Sequence, residues 1–191
     1  MQNSGYRVKI LKDHGITLVE LIIVISIIGI LAVALGFQFT GWMGGYKVES
    51  QMKEMYVDLM NARTRAMERN RMHFVTLAAT QYTVQEDISP WPDGDNNLTA
   101  GDNVRPAGYS DPIPFLQINL DPDYPIQWNG AAQIGFTVQG LSTVSETICS
   151  STDFHADYNC VVVAPTRINL GRLTTLIPDG GACDNANCTI R

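Results

Sequence analysis

Gly15-Ile16-Thr17-Leu18-Val19-Glu20 leads into Leu21–Phe39 (LIIVISIIGILAVALGFQF), and this stretch decides the fold. The 19 residues from Leu21 to Phe39 carry no charge, close to the roughly 20 that a helix needs to span a bilayer. Glu20 is the single charge between Ile16 and Phe39. Ahead of it, Met1–Gly15 is polar and carries Arg7, Lys9 and Lys12 against Asp13, a bias that keeps the N-terminus cytoplasmic. Three readings compete. One is a secretory signal cut after Ala32-Val33-Ala34, a small-x-small site. Another is a plain signal anchor. The third is a basic leader removed ahead of the apolar run instead of behind it. A carboxylate inside a membrane helix costs on the order of 3 kcal/mol and is kept for a function or a partner. A signal peptide or plain anchor has no use for Glu20, so the third reading is favoured.

Composition narrows the classes further. With 191 residues, 45% hydrophobic and 17% charged, the chain is too apolar for wholesale disorder. It has a single run long enough to cross a bilayer, so a multi-span protein is excluded. The net charge of -6 is distributed in blocks. Residues 46–71 are net basic, whereas residues 72–191 carry four Arg against thirteen Asp and Glu. An acidic domain repels polyphosphate, so nucleic acid is not an expected partner.

Gly15–Phe39 resembles the class III signal of type IV pilins and type II secretion pseudopilins. The resemblance implies cleavage by prepilin peptidase between Gly15 and Ile16 and N-methylation of Ile16. It also makes Glu20, fifth in the mature chain, the assembly residue that neutralises a neighbouring subunit's N-terminal amine. Ile16 stands where the family usually has Phe, and Gly36-Phe37 where many relatives carry a helix-bending Pro. Residues 55–71 (MYVDLMNARTRAMERNR) resemble the Leu…Ala-Arg-x-x-Ala…Arg-Asn stretch of the minor pseudopilin H (GspH/FimT-like) group. DNA-uptake members of that group carry a basic Gly-Arg-x-Arg. Gly171-Arg172-Leu173-Thr174 lacks the second Arg, so DNA capture is not implied.

The implied fold is α+β and pilin-like: a long N-terminal helix, its first half membrane-spanning, packed on an antiparallel β-sheet. Residues 1–15 are then the leader. Residues 16–45 form the transmembrane or filament-core half with a Gly-rich hinge, and residues 46–191 the extracytoplasmic helix half and sheet domain. The implied partners are prepilin peptidase, other pilins or pseudopilins, the inner-membrane assembly platform and the membrane itself. The implied role is a structural subunit, of the minor class, in a type IV pilus or a secretion pseudopilus. A DNA-capturing minor pilin and a non-assembling membrane-anchored binding domain are the alternatives.

Within the domain, Met52, Met55, Tyr56, Leu59, Ala62, Arg63 and Ala66 recur at helical spacing and predict a face that packs on the sheet. Gly36, Gly41, Gly44 and Gly45 predict a bend or break in the helix, since each Gly costs about 1 kcal/mol against Ala. Phe74–Ala79 with Tyr82–Gln85 read as a hairpin; Phe115–Leu120, Gln133–Val138, Cys160–Ile168 and Arg172–Ile177 read as further strands. A long loop, Asp87–Pro114, holds five of the nine prolines.

Inside that loop Asp93, Asp95 and Asn97 place oxygens at alternate positions, as a Ca²⁺ loop would. The sixth and twelfth positions, Leu98 and Val104, do not fit, and the same residues build ordinary turns. Beyond a structural Ca²⁺ there, no cofactor is expected. Cys149, Cys160, Cys183 and Cys188 contain no Cys-x-x-Cys, which disfavours zinc and dithiol redox chemistry. Outside the cytoplasm an even count reads as two disulfides. Three pairings are open, the sequential one closing the shortest loops. No catalytic constellation is present, and His73 reads as a strand-edge residue.

Overall fold

The computed structural model describes residues 16–191, with the side chains of 34–40 outside the description. The leader, including Gly15, also lies outside the described residues. The chain divides between Thr40 and Gly41 into two units.

Helix α1 spans Leu18–Arg69. In the first unit it begins on a Thr-x-x-Glu spacing, the signature of a capping box. The Glu20 N–H donates to Thr17 Oγ1 at 3.2 Å and the Leu21 N–H to the Thr17 carbonyl at 3.2 Å. The Ser26 hydroxyl donates to the Ile22 carbonyl at 2.7 Å, so the apolar run carries no unsatisfied hydroxyl there. Every side chain from Ile16 to Val33 is exposed.

In the second unit α1 presents Val48, Met52, Met55, Leu59, Ala62 and Ala66 as a buried stripe, with Tyr56 half-buried beside it. Each such apolar side chain contributes about 1.5–3 kcal/mol when fully buried, less for Ala. The helix is unbroken through the glycines where a break is predicted. Gly44 and Gly45 are there for packing: a Cβ on Gly44 would strike the Phe154 ring, and one on Gly45 the His155 carbonyl oxygen. Asn70, at φ 53°, ends the helix, and the Arg71 N–H reaches back to the Ala66 carbonyl as in a Schellman cap.

Among the described residues, nine strands form two antiparallel sheets: β1 (His73–Ala78), β2 (Gln81–Glu86), β3 (Leu116–Asn119), β4 (Ile126–Trp128), β5 (Gln133–Phe136), β6 (Glu146–Ser150), β7 (Cys160–Val163), β8 (Ile168–Leu173) and β9 (Cys188–Ile190). The first sheet has the order β3-β2-β1-β5 and the second β4-β6-β7-β8-β9. The expected hairpin is β1–β2, pairing His73 with Glu86 through Ala78 with Gln81. Cys160–Ile168, expected as one strand, is instead the whole of β7, a turn and the first residue of β8. Ala164 and Arg167 exchange backbone hydrogen bonds across Pro165, which cannot donate to a ladder. Arg172–Ile177, expected as a strand, contributes only its first two residues, to β8. Both sheets share the core with α1: Val75, Tyr82 and Ile134 from the first, Ile148, Val161 and Val163 from the second. The Tyr82 hydroxyl donates to Asp58 on α1 at 2.6 Å, so its buried polar end is satisfied.

Strands β6 and β7 of the second sheet are buried on both faces. Ile148, Val161 and Val163 face α1, whereas Cys149, Cys160, Val162 and Leu173 form a separate cluster with Cys188. The disulfides are Cys149–Cys183 and Cys160–Cys188, not the sequential pair. Cys149 and Cys160 stand opposite one another across β6 and β7, yet each sulfur reaches the C-terminal segment instead. Each cross-link closes a loop worth about 3–4 kcal/mol in the chain-entropy picture. Gly171 is the reason one of them fits. It is the register partner of Cys160, and Cys188 Sγ lies 2.7 Å from where its Cβ would be, so this bridge crosses β8 over a missing side chain.

Gly171→Val should therefore destabilise the domain by about 1–3 kcal/mol, read as a lower urea midpoint at an unchanged slope. An unchanged midpoint would contradict the crossing.

Candidate functional site: the exposed helix and the pinned loop

Ile16 is 75% exposed, and the apolar side chains after it as far as Val33 are exposed around the whole circumference of α1. A helix apolar on all sides needs cover on all sides, from lipid or from other helices. At its head Thr17 holds the helix start, and Glu20 lies in the first turn, where the helix dipole favours a negative charge. Among the described residues Glu20 makes no ion pair. Its carboxylate is exposed in the isolated chain. Ile16 and Glu20 are thus brought to one end of the helix; Gly15 lies outside the described residues. Among the described residues no helix is long and apolar enough to cross a membrane.

The loop after β2 is a second point of interest, and carboxylates build it. Buried Asp102 accepts from the Ile88 and Ser89 N–H groups, both at 2.8 Å, and from the Thr99 N–H and hydroxyl at 2.7 and 2.9 Å. Buried Asp87 accepts from the Asp95 and Asn96 N–H groups at 3.1 and 2.6 Å. Burial pushes its carboxyl above the ordinary range, and these two donors oppose the shift. Gly94, at φ 77°, leaves room for that carboxylate. The loop is also tied to the end of α1 and the segment after it. Glu86 accepts from Arg71 and from the Tyr109 hydroxyl, each at 2.8 Å. The Arg71 guanidinium lies over the Trp91 ring at 4.6 Å, and Asp111 pairs with Arg65 and Arg69.

Asp93, Asp95 and Asn97 form the exposed turn at the tip of this loop. Asp95 Oδ1 accepts the Asn97 N–H at 2.9 Å, an Asx turn. Among the described residues, no group of three or more His, Cys, Asp or Glu is placed to hold a metal ion. Asp102, which the sequence offered only as an out-of-place ligand, and Asp87, which it did not single out, are the acids that organise the tip. Their signal was position: each flanks the Asn- and Gly-rich tip instead of lying in it.

His73, expected at a strand edge, is fully buried on β1, between β2 and β5. Its Nδ1 lies 3.2 Å from the Arg71 carbonyl, and its buried Nε2 has no hydrogen-bond partner. Burial pushes the imidazole below its ordinary value, helped by Arg65 and Arg69 and opposed by the Arg71 carbonyl and Glu86.

Two outcomes follow for solution measurements. The melting temperature should not rise with millimolar calcium at fixed ionic strength; a rise would mean that the folded tip binds the ion. His73 stays neutral in the fold while the unfolded chain takes up a proton below about pH 6.5. Its contribution is complete above that pH and is lost as pH falls toward the depressed folded value. Unfolding free energy should drop by up to about 1.4 kcal/mol per pH unit in that window. His73→Gln should lack this component, and coincident pH profiles for the two proteins would contradict it.

Residues 10–36 match the Prokaryotic N-terminal methylation motif. No curated protein is significantly similar to the chain. Similar solved structures include the minor pseudopilin EpsH from the type II secretion system of Vibrio cholerae. It is 11% identical, over 66% of this chain and 94% of that one, with a TM-score of 0.46. Another is the type IV minor pilin FimU of Pseudomonas aeruginosa, 14% identical over 68% of this chain and 91% of that one, with a TM-score of 0.48. The N-terminal methylation motif thus spans Gly15, Ile16 and Glu20, as the resemblance to type IV pilins and pseudopilins implies.

Proposed function

We propose that the chain is made as a prepilin, cut between Gly15 and Ile16 and methylated on the Ile16 amine. It is then held in the inner membrane by a single pass, with the sheet domain outside the cytoplasm. From there it assembles through its N-terminal helix, as a minor subunit, into a type IV pilus or a type II secretion pseudopilus. Prepilin peptidase, other pilins and the inner-membrane assembly platform are its partners. The observation that carries this reading is the helix surface from Ile16 to Val33, apolar on every side and exposed in the isolated chain. Lipid covers such a surface before assembly, and the helices of neighbouring subunits cover it afterwards. The membrane step rests on the charge-free sequence from Leu21 to Phe39.

Glu20 gives the assembly step its specificity. In the core of a helical filament its carboxylate and a neighbour's Ile16 amine are each costly alone and tolerable as a pair. A DNA-capturing role finds no support, because the domain is acidic and Gly171-Arg172-Leu173-Thr174 lacks the second basic residue. A free binding loop finds little either, since Asp87, Asp102 and Asp111 of the 87–114 loop are engaged within the domain.

Two substitutions separate processing from assembly. Gly15→Val should block cleavage, because a bulky side chain prevents close approach of the peptidase to the backbone. The intact mass would then retain the leader. Glu20→Ala should be cleaved and stay in the membrane but fail to enter filaments. An unpaired buried charge costs about 3–5 kcal/mol, or a factor of 10² or more. Intact mass and the filament fraction decide both. A Glu20→Ala protein that assembles like wild type would overturn the pairing.

A further inference from the structure

We propose that the face of the domain around Trp42, Tyr46, Arg172 and Arg191 is a phospholipid-headgroup surface, applied to the outer leaflet while the protein waits in the membrane. This rests on the membrane reading above and adds which face of the domain meets the bilayer and by what chemistry.

Trp42 and Tyr46 are one helical turn apart on α1 and are 69% and 65% exposed. Trp42 follows Phe39, where the strongly apolar stretch ends, by three residues, and the next charge in the chain is Lys47. Chain connectivity alone keeps it within about 11 Å of that end, which is the depth of the headgroup region. Trp and Tyr are the side chains that settle there, with the ring body in the apolar boundary and the polar atom toward water.

The neighbouring groups match a phosphate layer. Trp42 and Tyr46 line a cleft of about 230 Å³ with His155 and Arg172. His155 and Arg172 also line an adjoining open cleft of about 500 Å³, with Arg191 and the hydroxyl-bearing Thr174, Thr175 and Thr189. Residues 72–191 contain four arginines among thirteen acids, and two of the four meet here. They share one carboxylate: Asp157 lies 3.7 Å from Arg172 and 3.4 Å from Arg191, and it is itself largely exposed. Asp179 and Glu49 also line these clefts, and Glu49 is paired with Lys53. Guanidinium forks bind phosphate oxygens two at a time, and the Thr175 and Thr189 hydroxyls line the same cleft.

The test uses the mature full-length chain in phosphatidylcholine vesicles, with and without about one-third phosphatidylglycerol. The Trp42 signal is taken as the difference between wild type and Trp42→Phe. Lipid bromines near the headgroups should quench it about twofold more than bromines at the bilayer centre. Phosphatidylglycerol should lower its quenching by aqueous iodide about threefold, and the double variant Arg172→Gln/Arg191→Gln should lose that protection while still floating with the vesicles. A floating chain whose Trp42 is quenched by iodide as in water contradicts this inference alone. So does one whose protection is indifferent to phosphatidylglycerol or to the two arginines. A chain that does not float contradicts the membrane reading, and this inference with it.

Discussion

One helix must satisfy two different surroundings, and the rest of the molecule is arranged around that constraint. From Val48 to Ala66 the apolar side chains of α1 keep to a single stripe, which both sheets cover. From Ile16 to Val33 they occupy the whole circumference and are exposed. No single-sided packing can bury the second kind of surface, so its cover has to come from lipid or from other subunits. The placement of Glu20 then becomes intelligible. It stands in the first turn of the exposed segment, where the helix start tolerates a negative charge.

The domain, by contrast, is tied down at its edges. The C-terminal segment is stapled to the outer face of the second sheet by Cys149–Cys183 and Cys160–Cys188. The 87–114 loop is held to α1 and β2 by Glu86, Arg71, Tyr109 and Asp111. The loop in particular uses groups that would be expensive if left alone, carboxylates held away from bulk water.

The most legible parts of the sequence were those in which one chemical pattern has one structural solution. The Gly15–Glu20 motif, the helical spacing of Met52 to Ala66 and the β1–β2 hairpin are of that kind. Strand β6 was missed because Glu146–Ser150 is buried on both faces, so no alternation marks it. Strands β4 and β9 were missed because each is three residues long and exists only through its neighbours. The glycines at 44 and 45 read as flexibility because the partner they accommodate, Phe154-His155, lies far away in sequence. The disulfide pairing escaped for the same reason: loop length favours the sequential pair, whereas the tertiary structure brings the C-terminal segment to β6 and β7.

The mass and N-terminal sequence of the mature wild-type protein, purified from membranes, test the central claim most directly. A chain beginning at Ile16 and heavier by one methyl group is the predicted result. A chain beginning at Leu35 would mean removal behind Ala32-Val33-Ala34, loss of the exposed helix half and of Glu20 with it, and a secreted domain instead of a filament subunit.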